Sequence, residues 1–473
     1  MTATLPTNGI CAPFKNVTAV SALREALVTM LAAIATLLCT LTIAEGSGPA
    51  VLAVVLCLSL SRSQLDRDSR HRFEAAVALP VVGVAALGVG FLLLHAPWLG
   101  AAVFVAGMFV SIWLRRFGPD AQRAGSLIAL PFVALLVTPP MPTTQAGPIP
   151  ALLVPIAVAL LALLWVSALH ALARRTGFLP PPRLRRPPAI ASASESSLRP
   201  IASTRMAIQM AVALALSFTI GYVFFADRWA WIVLTAFIVM SGNRGRLDVA
   251  YKSVLRVGGA AAGTVFALSI SRHLPAHGAG TGALILVMVF VGVWLRPLGY
   301  AWWALCVTIA LALLQGFNDA TPTQILWLRL EEIVVGAIIG VATASWLLPI
   351  RSTAVLRRRI ADALSSLGSA LDPKTNPRTS DGFIAAIASV EQLAPAFRAC
   401  RLFTRRLHRV QPADWIDTLA ACRTRAVALI ESGATATDVR RAVGTARKAL
   451  LEPVTLLSAL QELERSLNSP VPA

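Results

Sequence analysis

Arg329 and Glu332 stand three residues apart in an otherwise apolar run, Leu328-Arg329-Leu330-Glu331-Glu332-Ile333-Val334-Val335-Gly336. On a helix they share a face and can pair. A carboxyl at that depth can carry a proton and a guanidinium can hold an anion, since ionisable groups inside apolar spans default to function. The alternative is an interfacial ion pair that ends the span and orients its helix. Glu331 is expected to face the aqueous side. Gly336 and Gly340 then make a small-xxx-small face for close helix contact, and Gly259 and Gly263 make a second one.

Arg115 and Arg296 each follow a Phe-Val-x-x-Trp-Leu run. Two cations so placed could collect an anion, or they could simply snorkel to the interface. Asp66, in Arg62-Ser63-Gln64-Leu65-Asp66-Arg67, and the pair Arg244 and Asp248, in Asn243-Arg244-Gly245-Arg246-Leu247-Asp248, mix bases with an acid in two comparable loops. They fit a gate of ion pairs or ordinary solvated loop charges. Trp302 and Trp303 could stack on an aromatic ligand, although Trp229, Trp231 and Trp327 also lie near span ends, as an interfacial aromatic belt requires. No metal-ligand spacing, no Ser/His/Asp or Cys/His arrangement and no cofactor motif appears, so an enzyme is not expected. The six cysteines show no CxxC and are read as unpaired.

The elements that must position these residues are apolar. The chain has 473 residues, 56% apolar and 14% charged, with a mean hydropathy of +0.70. A soluble domain carries roughly 25% charged residues, so this is the composition of a polytopic membrane protein. Twelve apolar segments are legible, near 23–43, 46–63, 74–95, 97–114, 124–140, 149–172, 205–225, 229–242, 254–271, 279–295, 301–317 and 327–349. The first 22 residues lack the order of a cleavable signal peptide. At an offset of 181 residues Phe109 to Gly118 lies over Phe290 to Gly299, with Phe, Val, Trp, Leu, Arg and Gly coinciding. The same offset places Arg24 on Arg205 and Trp165 on Trp346, and an offset of 182 places Leu65-Asp66 on Leu247-Asp248. The expected fold is therefore an all-α polytopic bundle of two six-helix repeats, 23–177 and 205–350, joined by a Pro/Ser-rich linker at 178–204.

The net charge of +19 is a topology signal. With the N-terminal segment 1–22 inside, the loops 62–72, 115–123, 174–205, 243–256 and 296–300 hold 19 Lys and Arg, and the opposite connections hold only Arg228, Arg272 and Arg329. That asymmetry puts both termini in the cytoplasm, makes the repeats parallel and argues against a nucleic-acid partner. Residues 351–473 read as a basic cytoplasmic helical domain, with Ile384, Ile387, Val390, Leu393 and Phe397 on one face, a helix start at Thr437-Asp438 and a break at Pro453. GxxxxGK[ST] is absent, which disfavours an ATP-driven pump.

Two six-span repeats, an arginine/aspartate loop after the second span of each, and the Arg329, Glu332, Gly336 motif followed by Trp346-Leu347-Leu348-Pro349 resemble the FUSC family of fusaric acid resistance and aromatic acid exporter proteins. The resemblance covers about residues 20–350. It implies a bacterial inner-membrane efflux transporter for small, aromatic organic acids, driven by an ion gradient. The partners it implies are the lipid bilayer, the organic-acid substrate and a periplasmic membrane-fusion subunit, with a homo-oligomer left open. Larger members carry a sizeable cytoplasmic domain between the halves, where this chain has only the linker. A passive organic-anion channel and a non-transporting membrane scaffold remain the alternative readings.

Overall fold

The computed structural model describes residues 14–44, 47–63, 69–137, 148–180, 202–225, 228–271, 278–316, 322–372, 378–406, 410–433 and 437–469. Asp66 and most of the 178–204 linker lie outside them. Every regular element among the described residues is helical.

The helices of the apolar part are α1 (Phe14–Ile43), α2 (Ser47–Ser63), α3 (Ser69–His95), α4 (Pro97–Trp113), α5 (Pro119–Val137), α6 (Pro148–Arg175), α7 (Ala202–Phe224), α8 (Trp229–Met240), α9 (Arg246–Ser271), α10 (Ala279–Leu295), α11 (Tyr300–Gly316) and α12 (Pro322–Trp346). Each overlays one of the twelve apolar segments. They are apolar on nearly all sides, as helices surrounded by lipid and by one another must be. Six of them, α1, α4, α6, α7, α9 and α10, are long and apolar enough to cross a membrane. Shorter apolar helices occupy 48–61, 81–95, 229–240 and 300–314.

The first of two compact units takes in α1 to α8, α9 from Ser253, α10, α11 and α12 as far as Gly340. Within it α1 packs on α2, α6 and α10, α4 on α5 and α7, and α7 on α8. Aromatic rings join α4 to the second half. Phe104 meets Phe132 of α5 edge-on at 5.3 Å and Phe218 of α7 at 5.4 Å, and Trp98 meets Tyr222 at 5.3 Å. Trp229, at the start of α8, completes the cluster at 5.2 Å from Phe218.

The second unit contains residues 242–252 and 341–473. Here α13 (Ser352–Ala370), α14 (Asp381–Glu391), α15 (Ala394–Thr404), α16 (Pro412–Ala421), α17 (Arg423–Ser432), α18 (Thr437–Ala449) and α19 (Pro453–Asn468) are amphipathic. Their apolar faces make one core that includes Leu356, Ile360, Phe383, Ile387, Ile416 and Leu460. Helix α16 starts in a capping box between Gln411 and Asp414, and Arg401 binds both Asp414 (2.8 Å) and Asp417 (2.9 Å). The pair α14 and α15, bent by 41°, is together also long and apolar enough for a span, so the candidates among the described residues number six or seven.

Candidate functional site

Close contact between α8 and α12 sets the geometry around Glu332. A Cβ on Gly336 would lie 2.5 Å from the Ile232 carbonyl oxygen and 2.9 Å from Thr235 Cβ, and one on Gly340 would lie 3.2 Å from Val239 Cγ1. The contacts advance in the same direction along both helices, which therefore run parallel. One turn before Gly336, Glu332 is 2% exposed and forms an ion pair with Arg228 at the start of α8, Nη1 to Oε1 3.5 Å. Arg329 is 3% exposed, and its guanidinium carbon lies 3.6 Å from the centre of the Trp231 ring. A desolvated stack of this kind contributes about 2 kcal/mol. Arg329 is also within electrostatic reach of Glu332, and Glu331 is exposed. So the carboxyl that sequence spacing joins to Arg329 shares itself between two arginines, and the second of them, Arg228, comes from another helix.

The stretch 243–256 requires a correction. Read as a loop from its basic residues, it is helical from Arg246 onward, and Arg256 sits well inside α9 at 2% exposure. Its charge reaches Arg329 and the phenol of Tyr300, the residue that opens α11. Arg256 is a site residue that loop counting hid. A signal for it does exist: Arg256, Gly259 and Gly263 recur at i, i+3 and i+7 and so share the face on which the glycines pack. A Cβ on Gly259 would come 3.0 Å from the Ala301 carbonyl, and one on Gly263 would come 2.9 Å from the Leu305 carbonyl.

Arg115 and Arg296 occupy matching local structures. Each lies in a 3-10 turn after a helix, Leu114–Phe117 after α4 and Arg296–Leu298 after α10. The turns end at Gly118 and Gly299 respectively. Arg296 is exposed, lies 5.5 Å from the centre of the Trp303 ring and is within electrostatic reach of Tyr300. Trp302 is 51% exposed. Among the described residues no contact joins Arg115 to the group around Arg296.

Arg244 and Asp248 belong to the second unit. The Arg244 backbone N–H donates to Asp248 Oδ2 (3.3 Å), Lys252 Nζ lies 2.8 Å from the same oxygen, and Arg244 Nη1 donates to the Gln392 carbonyl (3.1 Å). Nearby, Arg246 N–H donates to the Ile350 carbonyl and Leu247 N–H to Ser352 Oγ. Gly245, at φ +123°, is the residue that this approach needs, since a Cβ there would meet Ser352 Oγ at 2.6 Å. Burial and then the charge of Arg244 pull Arg359 below the ordinary guanidinium value. Arg244 therefore ties the segment before α9 to the residue after α14, while Arg246 and Leu247 tie the start of α9 to the start of α13.

Among the described residues, buried charge in the first unit is confined to Arg256, Arg329 and Glu332, and α1 to α6 bury only the polar side chains of Thr29, Thr36, Thr40, Ser111 and His170. All three charged residues, with Arg228, Trp231, Arg296 and Tyr300, fall within residues 210–343, which match a family model described as fusaric acid resistance protein-like. No curated protein and no solved structure matches the chain. The chain is thus a multi-span membrane protein whose residues 210–343 form a fusaric acid resistance protein-like domain.

Proposed function

We propose that this protein is an inner-membrane efflux transporter that exports small, aromatic organic acids and is driven by an ion gradient. The reading includes twelve spans in two parallel repeats, both termini in the cytoplasm and residues 351–473 as a cytoplasmic helical domain. The observation that carries it is the group of Glu332, Arg228 and Arg329, buried or half-buried on neighbouring helices inside the domain that matches the fusaric acid resistance protein-like model. A bilayer tolerates such charges where they serve a substrate or a proton. The basic residues of the cytoplasmic loops raise the local concentration of carboxylates at the side from which export starts. A periplasmic membrane-fusion subunit is the partner that completes the export route.

The test is transport by inverted membrane vesicles that contain the full chain, supplied with labelled aromatic carboxylates. Accumulation that needs a pH gradient and stops with a protonophore is the expected result. An ohmic, gradient-independent anion current would replace the transporter with a channel. A deletion strain with unchanged tolerance to every aromatic acid tested, together with inert vesicles, would leave a scaffold.

A further inference from the structure

We propose that Arg256 and Tyr300 form an internal receptor for the single carboxylate of a small monoanion, with Arg256 as its central contact. The ligand's chemical class rests on the organic-acid reading above, whereas the site rests on its own geometry.

Parallel packing of α9 on α11 sets the level of these two residues. Gly259 lies against Ala301 and Ala304, and Gly263 against Leu305 and Thr308. One turn earlier on each helix come Arg256 and Tyr300, and their charge coupling agrees with that register. Arg256 is 2% exposed, its Nε has no hydrogen-bond partner, and no carboxylate among the described residues lies within ion-pair distance. The buried Tyr300 hydroxyl has no hydrogen-bond partner either. Arg256 is within electrostatic reach of a further cation, Arg329, and Tyr300 of Arg296.

A guanidinium offers donors only, and a phenol can add another. Arg256 and Tyr300 therefore lack a negatively charged acceptor among the described residues. An uncompensated buried ion is strongly unfavourable, and a second cation within reach makes it more so. A carboxylate fits the fork of a guanidinium with two parallel hydrogen bonds and leaves an oxygen for the phenol. Tyr300 is also the first residue of α11, a 17-residue helix whose positive end lies at this level. Glu332 already places one negative charge beside Arg329, so a second full charge on the ligand would be repelled. That favours a monoanion over a dianion such as phosphate. Exposed Arg296, coupled to Tyr300, stands at the outer edge of the group, where it can pass an anion inward.

The experiment measures sodium benzoate binding to the purified full chain in nanodiscs, by calorimetry and by the thermal unfolding midpoint, with benzamide as the neutral isostere and phthalate as the dianion. Benzoate is expected to bind and to raise the midpoint, and benzamide and phthalate to do neither. Tyr300→Phe and Arg256→Gln should each weaken benzoate by at least about tenfold, the loss of one charge-assisted hydrogen bond. Arg256→Gln should also unfold at a higher temperature than the wild type without ligand, because it removes an unpaired buried charge. A residue with a purely structural role would lower that midpoint. Tyr300→Phe removes one oxygen and keeps the test alive if Arg256→Gln does not fold.

Three results would overturn the site: no benzoate binding by the wild type, unchanged affinity in both variants, or chloride as effective as benzoate. Binding with no gradient-driven movement would sink the efflux reading and leave the site standing. Gradient-driven export by both variants with wild-type benzoate affinity would do the reverse.

Discussion

Glu332 is the residue on which energy coupling should turn. Export driven by protons requires one acid to change protonation between the two access states. Among the described residues Glu332 is the buried acid of the first unit, and it is held by Arg228 at 3.5 Å with Arg329 and Glu331 also within reach. A cation close to a carboxylate favours its charged form. A substrate carboxylate that draws Arg329 away therefore weakens the hold on Glu332 and favours proton uptake, and the linkage is reciprocal. Glu332→Gln is expected to insert normally but to move substrate at a rate independent of the pH gradient. Glu331→Gln, altered at an exposed position, should behave like the wild type. Initial rates in inverted vesicles with and without a gradient check both variants. If Glu332→Gln keeps its full gradient dependence, the carboxyl is only a structural partner of Arg228 and coupling lies elsewhere.

Among the elements, α12 depends on two glycines for different reasons. At Gly336 the obstacle to a side chain is backbone, the Ile232 carbonyl at 2.5 Å. At Gly340 it is the end of a side chain, Val239 Cγ1 at 3.2 Å, which can give way. Gly336→Ala should therefore destabilise the protein by about 1–3 kcal/mol, the usual range for overpacking, and Gly340→Ala by clearly less. Thermal unfolding of the detergent-purified variants orders them, and equal losses would refute the α8–α12 register. Because Glu332 and Arg228 sit one turn from this contact, Gly336→Ala should also impair transport.

At the scale of the whole molecule, orientation follows from the distribution of Lys and Arg. Cytoplasmic reporters fused after residues 190 and 360 should be active, and periplasmic reporters at the same places silent. A periplasmic signal from either fusion would invert or break the proposed topology. The molecule is also asymmetric in a way its internal similarity conceals. Arg115 and Arg296 correspond in both position and local structure, yet among the described residues the buried charges of the first unit occur in the second half alone.

That contrast separates what sequence alone determined from what tertiary structure decided. Hydropathy is a property of contiguous residues, so twelve apolar segments could be read off and each proved to be one helix. The same holds for the helix starting at Thr437 and the break at Pro453, which follow from local capping and backbone chemistry. The nearness of Arg329 to Glu332 was legible too, because three residues on a helix fix it. Partners from different helices were not legible. Arg228, remote in sequence from Glu332, reaches it only through the parallel docking of α8 and α12. Arg256 resembled a loop cation until α9 extended through it and packed against α11. A pattern along one chain specifies a face, and only packing specifies what that face meets.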